Sequence, residues 1–162
     1  MSIEQKFVMT RLADILTPER TIQGVAIQSK KRALEFISQI VSDESTHLKA
    51  LDIFESLVGR ERLGSTGIGY GIAIPHCRIK GLTQVNSTLL LLPEGIDFDA
   101  IDSQPVDIIM ALLVPEEATD EHLQLLATLA DMFSAETFRQ QLRASINSNE
   151  LYQAFISYYG HK

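Results

Sequence analysis

Cysteine occurs once in 162 residues, tryptophan not at all, and proline only five times. A lone Cys77 excludes an intrachain disulfide and a cysteine metal cluster. Basic side chains are also in short supply, 14 against 21 acidic ones, for a net charge of −7. A nucleic-acid-binding face needs the opposite balance, so the charge favours protein partners with a basic docking patch. No apolar run approaches the roughly 20 residues needed to span a bilayer. The opening MSIEQKFVMTRLADIL lacks the long apolar core and small-residue cleavage site of a signal peptide. No repeat, low-complexity tract or linker divides the chain, and its 45% hydrophobic and 22% charged fractions are ordinary for a globular protein. These features predict a single cytoplasmic domain over residues 1–162, with no membrane insertion and no nucleic-acid partner.

What is present reads as alternating strands and helices. Arg20 to Gln28 alternates loosely and is rich in branched residues, which predicts a strand. Ser29 is placed to cap a helix bearing Ala33, Phe36, Ile37, Ile40 and Val41 at helical spacing. A second helix is expected from about Ser45 or Thr46, with Leu48, Leu51, Phe54, Leu57 and Val58 on one side. Gly71 to Ile74 is a short apolar strand stopped by Pro75. Ser87 to Pro93 and Val106 to Pro115 are continuous apolar runs, the signature of strands covered on both faces. Thr119 is expected to cap a long helix with Leu123, Leu126, Ala127, Ala130 and Phe133 inside. Two more helices follow, the second stopped at Gly160. The fold class predicted is α/β, a mixed β-sheet sandwiched between helices on both faces in three layers. Asp97, Asp99, Asp102 and Asp107 offer oxygens for a metal, but Asx turns use the same residues without one. No metal and no cofactor are assigned.

Glycine is concentrated between Gly59 and Gly71, just upstream of Pro75 and His76. The run GIGYG is neither GxGxxG nor GxxxxGK[ST], and here a helix precedes the glycines while a strand follows. A phosphate-binding turn needs the reverse order, so a nucleotide loop is rejected. Glycines also supply positive-φ turns between a helix and a buried strand. His76, at the end of the strand that Pro75 stops, is expected on the sheet rim, where sites in α/β folds gather. With one ring nitrogen held by a backbone carbonyl, the other lone pair is a nucleophile. A phosphoryl group there would add roughly −1.5 to −2 charges, by analogy with other phospho-residues. Ser65 and Thr66 hydroxyls, N–H groups around Gly67 and Gly69, and an arginine among Arg60, Arg62 and Arg78 are candidates to meet that charge. His122 lies in the first turn of a helix, where the dipole disfavours imidazolium; a surface histidine is the alternative. His47 and His161 are read as incidental, and Cys77 as a small packed side chain.

The run GRERLGSTGIGYGIAIPH, Gly59 to His76, resembles the signature of the enzyme IIA domains of the phosphoenolpyruvate-dependent phosphotransferase system. Within that family it is similar to the fructose/mannitol-type branch and its nitrogen-regulatory member. FDAIDSQPVDIIMALLVP and EHLQLLATLADMF extend the resemblance over most of the chain. It implies a bacterial phosphotransferase in the sense of a phosphohistidine carrier: a histidine phosphorylated reversibly by a histidine-containing phosphocarrier protein. The acceptor falls on His76, the active-site arginine on Arg60, and a second histidine beside the acceptor on His122. Cys77 departs from the pattern, since glycine or another small residue is common there. Two outcomes stay open: a regulator of protein targets such as ion-transport regulators or kinases, or a transporter subunit passing phosphate to a IIB domain. The bland alternative is a binding module whose histidine is never modified.

Overall fold

Two runs of the chain are apolar at nearly every position, and such runs are stable only where helices cover both faces of the strands they form. The computed structural model describes residues 12–118 and 121–159. In chain order its elements are β1 (Thr21–Gln23), α1 (Lys30–Asp43), α2 (Ala50–Glu61), β2 (Gly67–Gly69), β3 (Ile72–Ala73), β4 (His76–Ile79), β5 (Asn86–Ile96), β6 (Val106–Pro115), α3 (Glu121–Ser134), α4 (Glu136–Arg143) and α5 (Ser148–Tyr159). The apolar runs become β5 and β6, an antiparallel pair in the register Leu89↔Met110, Leu90↔Ile109, Leu91↔Ile108. Their side chains alternate between faces. Leu89, Leu91, Ile108, Met110 and Leu112 join one core with Leu125, Leu129, Phe133 and Phe138 of α3 and α4. Leu90, Leu92, Ile109 and Leu113 join a second with Ala33, Ile37, Ile53 and Leu57 of α1 and α2. The result is the three-layer arrangement expected, with mixed strand order β1-β5-β6-β3-β2 and β4 also on β6.

Local chemistry explains where the elements start and stop. Ser29 is extended, and its side chain accepts the Arg32 N–H at 3.2 Å, so α1 begins as expected. The second helix starts later, at Ala50, because the Ser45 hydroxyl accepts the N–H groups of His47 and Leu48 and closes a separate turn first. Its buried stripe is Ile53, Leu57 and Glu61, while Leu51 faces solvent. In α3 the buried residues are Leu125, Leu129, Met132 and Phe133, and Leu123 is 54% exposed. The first strand is shorter than its sequence suggested. Gly24, at φ +88°, turns the chain away after Gln23. Thr119, Gly160 and His161 lie outside the described residues.

The largest departure concerns Pro75. β3 and β4 both run parallel to β6 in one unbroken register, Ile72↔Ile108 and Ala73↔Ile109 before the proline, His76↔Leu112 and Cys77↔Leu113 after it. Proline lacks an N–H but keeps its carbonyl, and Pro75 O accepts the Leu112 N–H at 2.8 Å. The strand therefore passes through the proline, and His76 lies within the ladder rather than past its end.

Candidate active site

β2 and β3 form a hairpin whose turn is Tyr70-Gly71. Both residues have positive φ, 61° and 79°, the two-residue turn that follows the twist of the strands. Tyr70 carries a side chain in that unfavourable region and is held there from three sides. Its N–H donates to Asp102 Oδ2, its carbonyl accepts from Arg143 Nη2, and its ring lies under the Arg139 guanidinium at 4.3 Å. Gly67 is required for a different reason: a Cβ there would stand 2.8 Å from the Ala100 side chain and 2.9 Å from its backbone.

The hairpin ends where the Ile74 N–H reaches Thr66 O at 3.0 Å. Beyond it, among the described residues, β4 pairs with β6 alone. His76 is the first residue of that open edge. By strand alternation it points with Ile72 and Ile74 toward the α3–α5 layer, while Cys77 packs with the α1–α2 core. Arg60 ends α2 on the opposite layer and comes to the same open edge. The edge is the place where side chains from both layers can meet.

His76 is half-buried, and its Nδ1 is 2.9 Å from the Ile74 carbonyl oxygen. A carbonyl only accepts, so Nδ1 carries the proton and Nε2 is left with its lone pair. Burial lowers the proton affinity of the ring below the usual 6.5. The Ile74 carbonyl and Glu61 oppose that shift, and the Arg60 guanidinium and His122 add to it. The imidazole is neutral at neutral pH, with its nucleophilic nitrogen defined.

Arg60 Nη1 donates to Gly64 O at 2.8 Å, which folds the guanidinium over the loop that follows α2. Arg78 is exposed and donates to the carbonyls of Glu116 and Ala118, bracing the segment that leads into α3 and His122. The loop residues expected beside a phosphate are largely committed elsewhere. Thr66 gives both its N–H and its hydroxyl to Glu61, and the Ser65 hydroxyl donates to Phe98 O while accepting the Gly67 N–H. Gly67 and Gly69 belong to β2, where close packing on Ala100 and a φ of +100° account for them. The acids expected in turns or around a metal are also in use. Asp97 and Asp102 accept backbone N–H groups, Asp99 meets Lys30, and Asp107 meets Arg143. Burial pushes the Cys77 thiol up to about 12, which disfavours the reactive thiolate.

Sequence reasoning missed Glu61. It lies in the buried stripe of α2, eight residues after Ile53 and four after Leu57, with only 6% of its side chain exposed. That periodicity was visible in the chain. A carboxylate at the i+4 position of a buried stripe is a signal in itself.

The sequence matches the family described as "Phosphoenolpyruvate-dependent sugar phosphotransferase system, EIIA 2" over residues 14–158. It is 49% identical over 148 residues to a nitrogen regulatory protein of Pseudomonas aeruginosa, covering 91% of this chain and 96% of that one. It is 32% identical over 114 residues to a fructose-specific EIIA component of Haloferax volcanii, covering 70% and 74% of the two. The fold superposes on the crystal structure of the nitrogen regulatory protein IIA-Ntr from Neisseria meningitidis with TM-score 0.83 and 39% identity, over 90% of this chain and 97% of that one. No helix among the described residues is long and apolar enough to cross a membrane. With the matched region running from before β1 into α5, the chain belongs to the EIIA 2 family of the phosphoenolpyruvate-dependent phosphotransferase system.

Proposed function

We propose that this protein is a nitrogen-regulatory IIA protein, acting as one IIA-type domain, in which His76 Nε2 accepts a phosphoryl group from the phosphohistidine of a phosphocarrier protein. The observation that carries this reading is the bond from His76 Nδ1–H to Ile74 O at 2.9 Å on an open sheet edge. It leaves one nitrogen competent to attack. In the transfer, the Nε2 lone pair forms the new N–P bond while the donor's N–P bond breaks and its electron pair returns to the donor ring. Both linkages are phosphoramidates, so no high-energy bond is lost and the reaction runs in either direction. The protein's contribution is alignment and charge neutralisation. Arg60 supplies the permanent positive charge beside the incoming dianion. His122, from the other layer, supports the neutral form of His76 and meets the phosphoryl group from the opposite side. Ser65 and the Gly67–Gly69 strand frame the site, and the committed bonds of Thr66 assign it to holding the loop.

Regulation of protein targets is favoured over transport because the 49% and 39% relatives are nitrogen regulatory proteins. The 32% identity to a fructose-specific EIIA component keeps transfer to a IIB domain as the second reading. The test uses phosphorylated carrier protein as donor. Wild type gains one phosphoryl group by intact mass, His76→Ala gains none, and ¹⁵N spectra place phosphorus on Nε2. Modification at Nδ1, or uptake by His76→Ala, overturns the proposal. Passage of labelled phosphate to the cysteine of an added IIB domain would defeat the regulatory reading and leave the acceptor chemistry standing.

A further inference from the structure

A carboxylate buried next to a phosphoryl acceptor has the wrong sign for the chemistry, and Glu61 is one. Its oxygens are fully employed. Oε1 accepts the N–H of Thr66 at 3.0 Å and the Thr66 hydroxyl in a short bond, and Oε2 meets Lys30 Nζ at 3.1 Å. Lys30 opens α1, and its ammonium also reaches Asp99 Oδ2 at 3.1 Å and lies 5.1 Å from the centre of the Phe98 ring. A buried charge with its partner and hydrogen bonds complete is tolerable, whereas the same charge stripped of its partner is strongly destabilising.

The network does not end at Thr66. Thr66 O accepts the Ile74 N–H at 3.0 Å, and Ile74 O accepts the His76 Nδ1–H at 2.9 Å. One chain of hydrogen bonds therefore runs from Lys30 through Glu61, Thr66 and Ile74 to the imidazole. On its other side Glu61 adjoins Arg60 in sequence, and the loop between them and Thr66 is closed by Gly64 N–H to Glu61 O at 3.1 Å and by Arg60 Nη1 to Gly64 O at 2.8 Å. The guanidinium is folded over a loop closed on the Glu61 backbone carbonyl, and the Glu61 carboxylate holds the Thr66 end of the same loop, from which the bonds to the imidazole run.

We propose that Glu61, neutralised by Lys30, is the positioning residue of the phosphoryl-transfer site, fixing Arg60 and His76 relative to one another. The proposal rests on the reading of His76 as phosphoryl acceptor. Lys30 has a second function in it: without its counter-charge, Glu61 would repel the dianion arriving on His76. Among the described residues, the charged and titratable groups that act on that ring are Arg60 and Glu61 from the end of α2 and His122 from α3.

The test compares Glu61→Gln, Lys30→Met and the double variant by NMR titration of His76 and by steady-state transfer from phosphorylated carrier protein. Glu61→Gln removes a negative charge that favours imidazolium, so the His76 midpoint falls. Lys30→Met leaves that charge unshielded, so the midpoint rises. Each single variant loses about tenfold in kcat with KM held within about twofold, and the double variant, with neither charge, returns the midpoint toward wild type. A merely structural pair would lower stability in all three and move neither midpoint. Unmoved midpoints in both single variants overturn the proposal, as does an unchanged kcat. Should Glu61→Gln fail to fold, Lys30→Met decides alone, since its side chain is partly exposed at the start of a helix. If wild type takes up no phosphate, the acceptor reading fails, and the titrations still decide whether Glu61 and Lys30 govern the imidazole.

Discussion

Replacing Arg60 with alanine separates charge neutralisation from folding. The guanidinium is half-buried at the end of α2, where it donates to the Gly64 carbonyl at 2.8 Å. That bond, at the edge of solvent, contributes about 0.5–1.5 kcal/mol to stability, so Arg60→Ala folds and unfolds only slightly earlier in urea. The larger effect falls on transfer. Charge-assisted hydrogen bonds to a developing dianion contribute about 1.5–3 kcal/mol, and at 1.36 kcal/mol per decade the rate drops about 10- to 150-fold. The same substitution removes a positive charge that lowers the proton affinity of His76, so its titration midpoint rises. Arg60→Lys keeps the charge and loses the planar fork; its midpoint stays near wild type while its rate falls between the two. Rapid-quench transfer assays and ¹H–¹⁵N titration give both readouts on one sample. An Arg60→Ala rate within about twofold of wild type, or a midpoint that falls, would refute the charge-pairing argument.

Two further outcomes follow from the geometry. Because His76 titrates below its unfolded value of 6.5, the unfolded chain binds more protons between those two values, so folding stability falls as pH drops through that window. Urea unfolding of wild type against His76→Ala from about pH 7 to pH 5 isolates the contribution, and identical slopes for the two proteins would contradict the buried-imidazole assignment. Phe138 is fully buried between Phe133, Phe155 and Tyr158, with ring centres 5.3, 5.8 and 4.4 Å away. Phe138→Ala should therefore cost about 3–5 kcal/mol in equilibrium unfolding, and a loss under about 1.5 kcal/mol would mean that the α4–α5 layer repacks freely.

Lys30 adds a pH dependence of opposite sign. Burial lowers its proton affinity, but bonds to Glu61 and Asp99 outweigh that and raise it above 10.5. The pair's contribution is complete below the ordinary lysine range and is lost as pH rises through the raised value. It is therefore constant across the range in which His76 titrates, and the two effects do not interfere.

Much of this was readable along the chain wherever the cause is local. Ser29 caps α1 because a hydroxyl three residues before an N–H can reach it in any context. β6 coincides with the run Val106–Pro115 because ten residues with almost no polar interruption have only one way to be buried. The likeness of Gly59 to His76, and of the downstream segments, to one family pointed to His76, Arg60 and His122, and the match over residues 14–158 shows that the chain belongs to that family.

The tertiary structure decided the rest, because the deciding contacts are far apart in sequence. Pro75 reads as a strand stop, yet its carbonyl is used by Leu112, 37 residues on, and the ladder continues. The glycines read as a cradle for phosphate, yet Gly67 answers to Ala100 and the Tyr70-Gly71 turn to Asp102 and Arg143. Glu61 sits at a position of the buried stripe of α2, and only the ammonium of Lys30, brought from another helix, neutralises it there. Residue types and their spacing determined which groups are candidates for the proposed phosphoryl site. Only the closing of two helical layers on one open sheet edge determined which of them face the imidazole, since burial and pairing of charge belong to the folded chain and not to any segment of it.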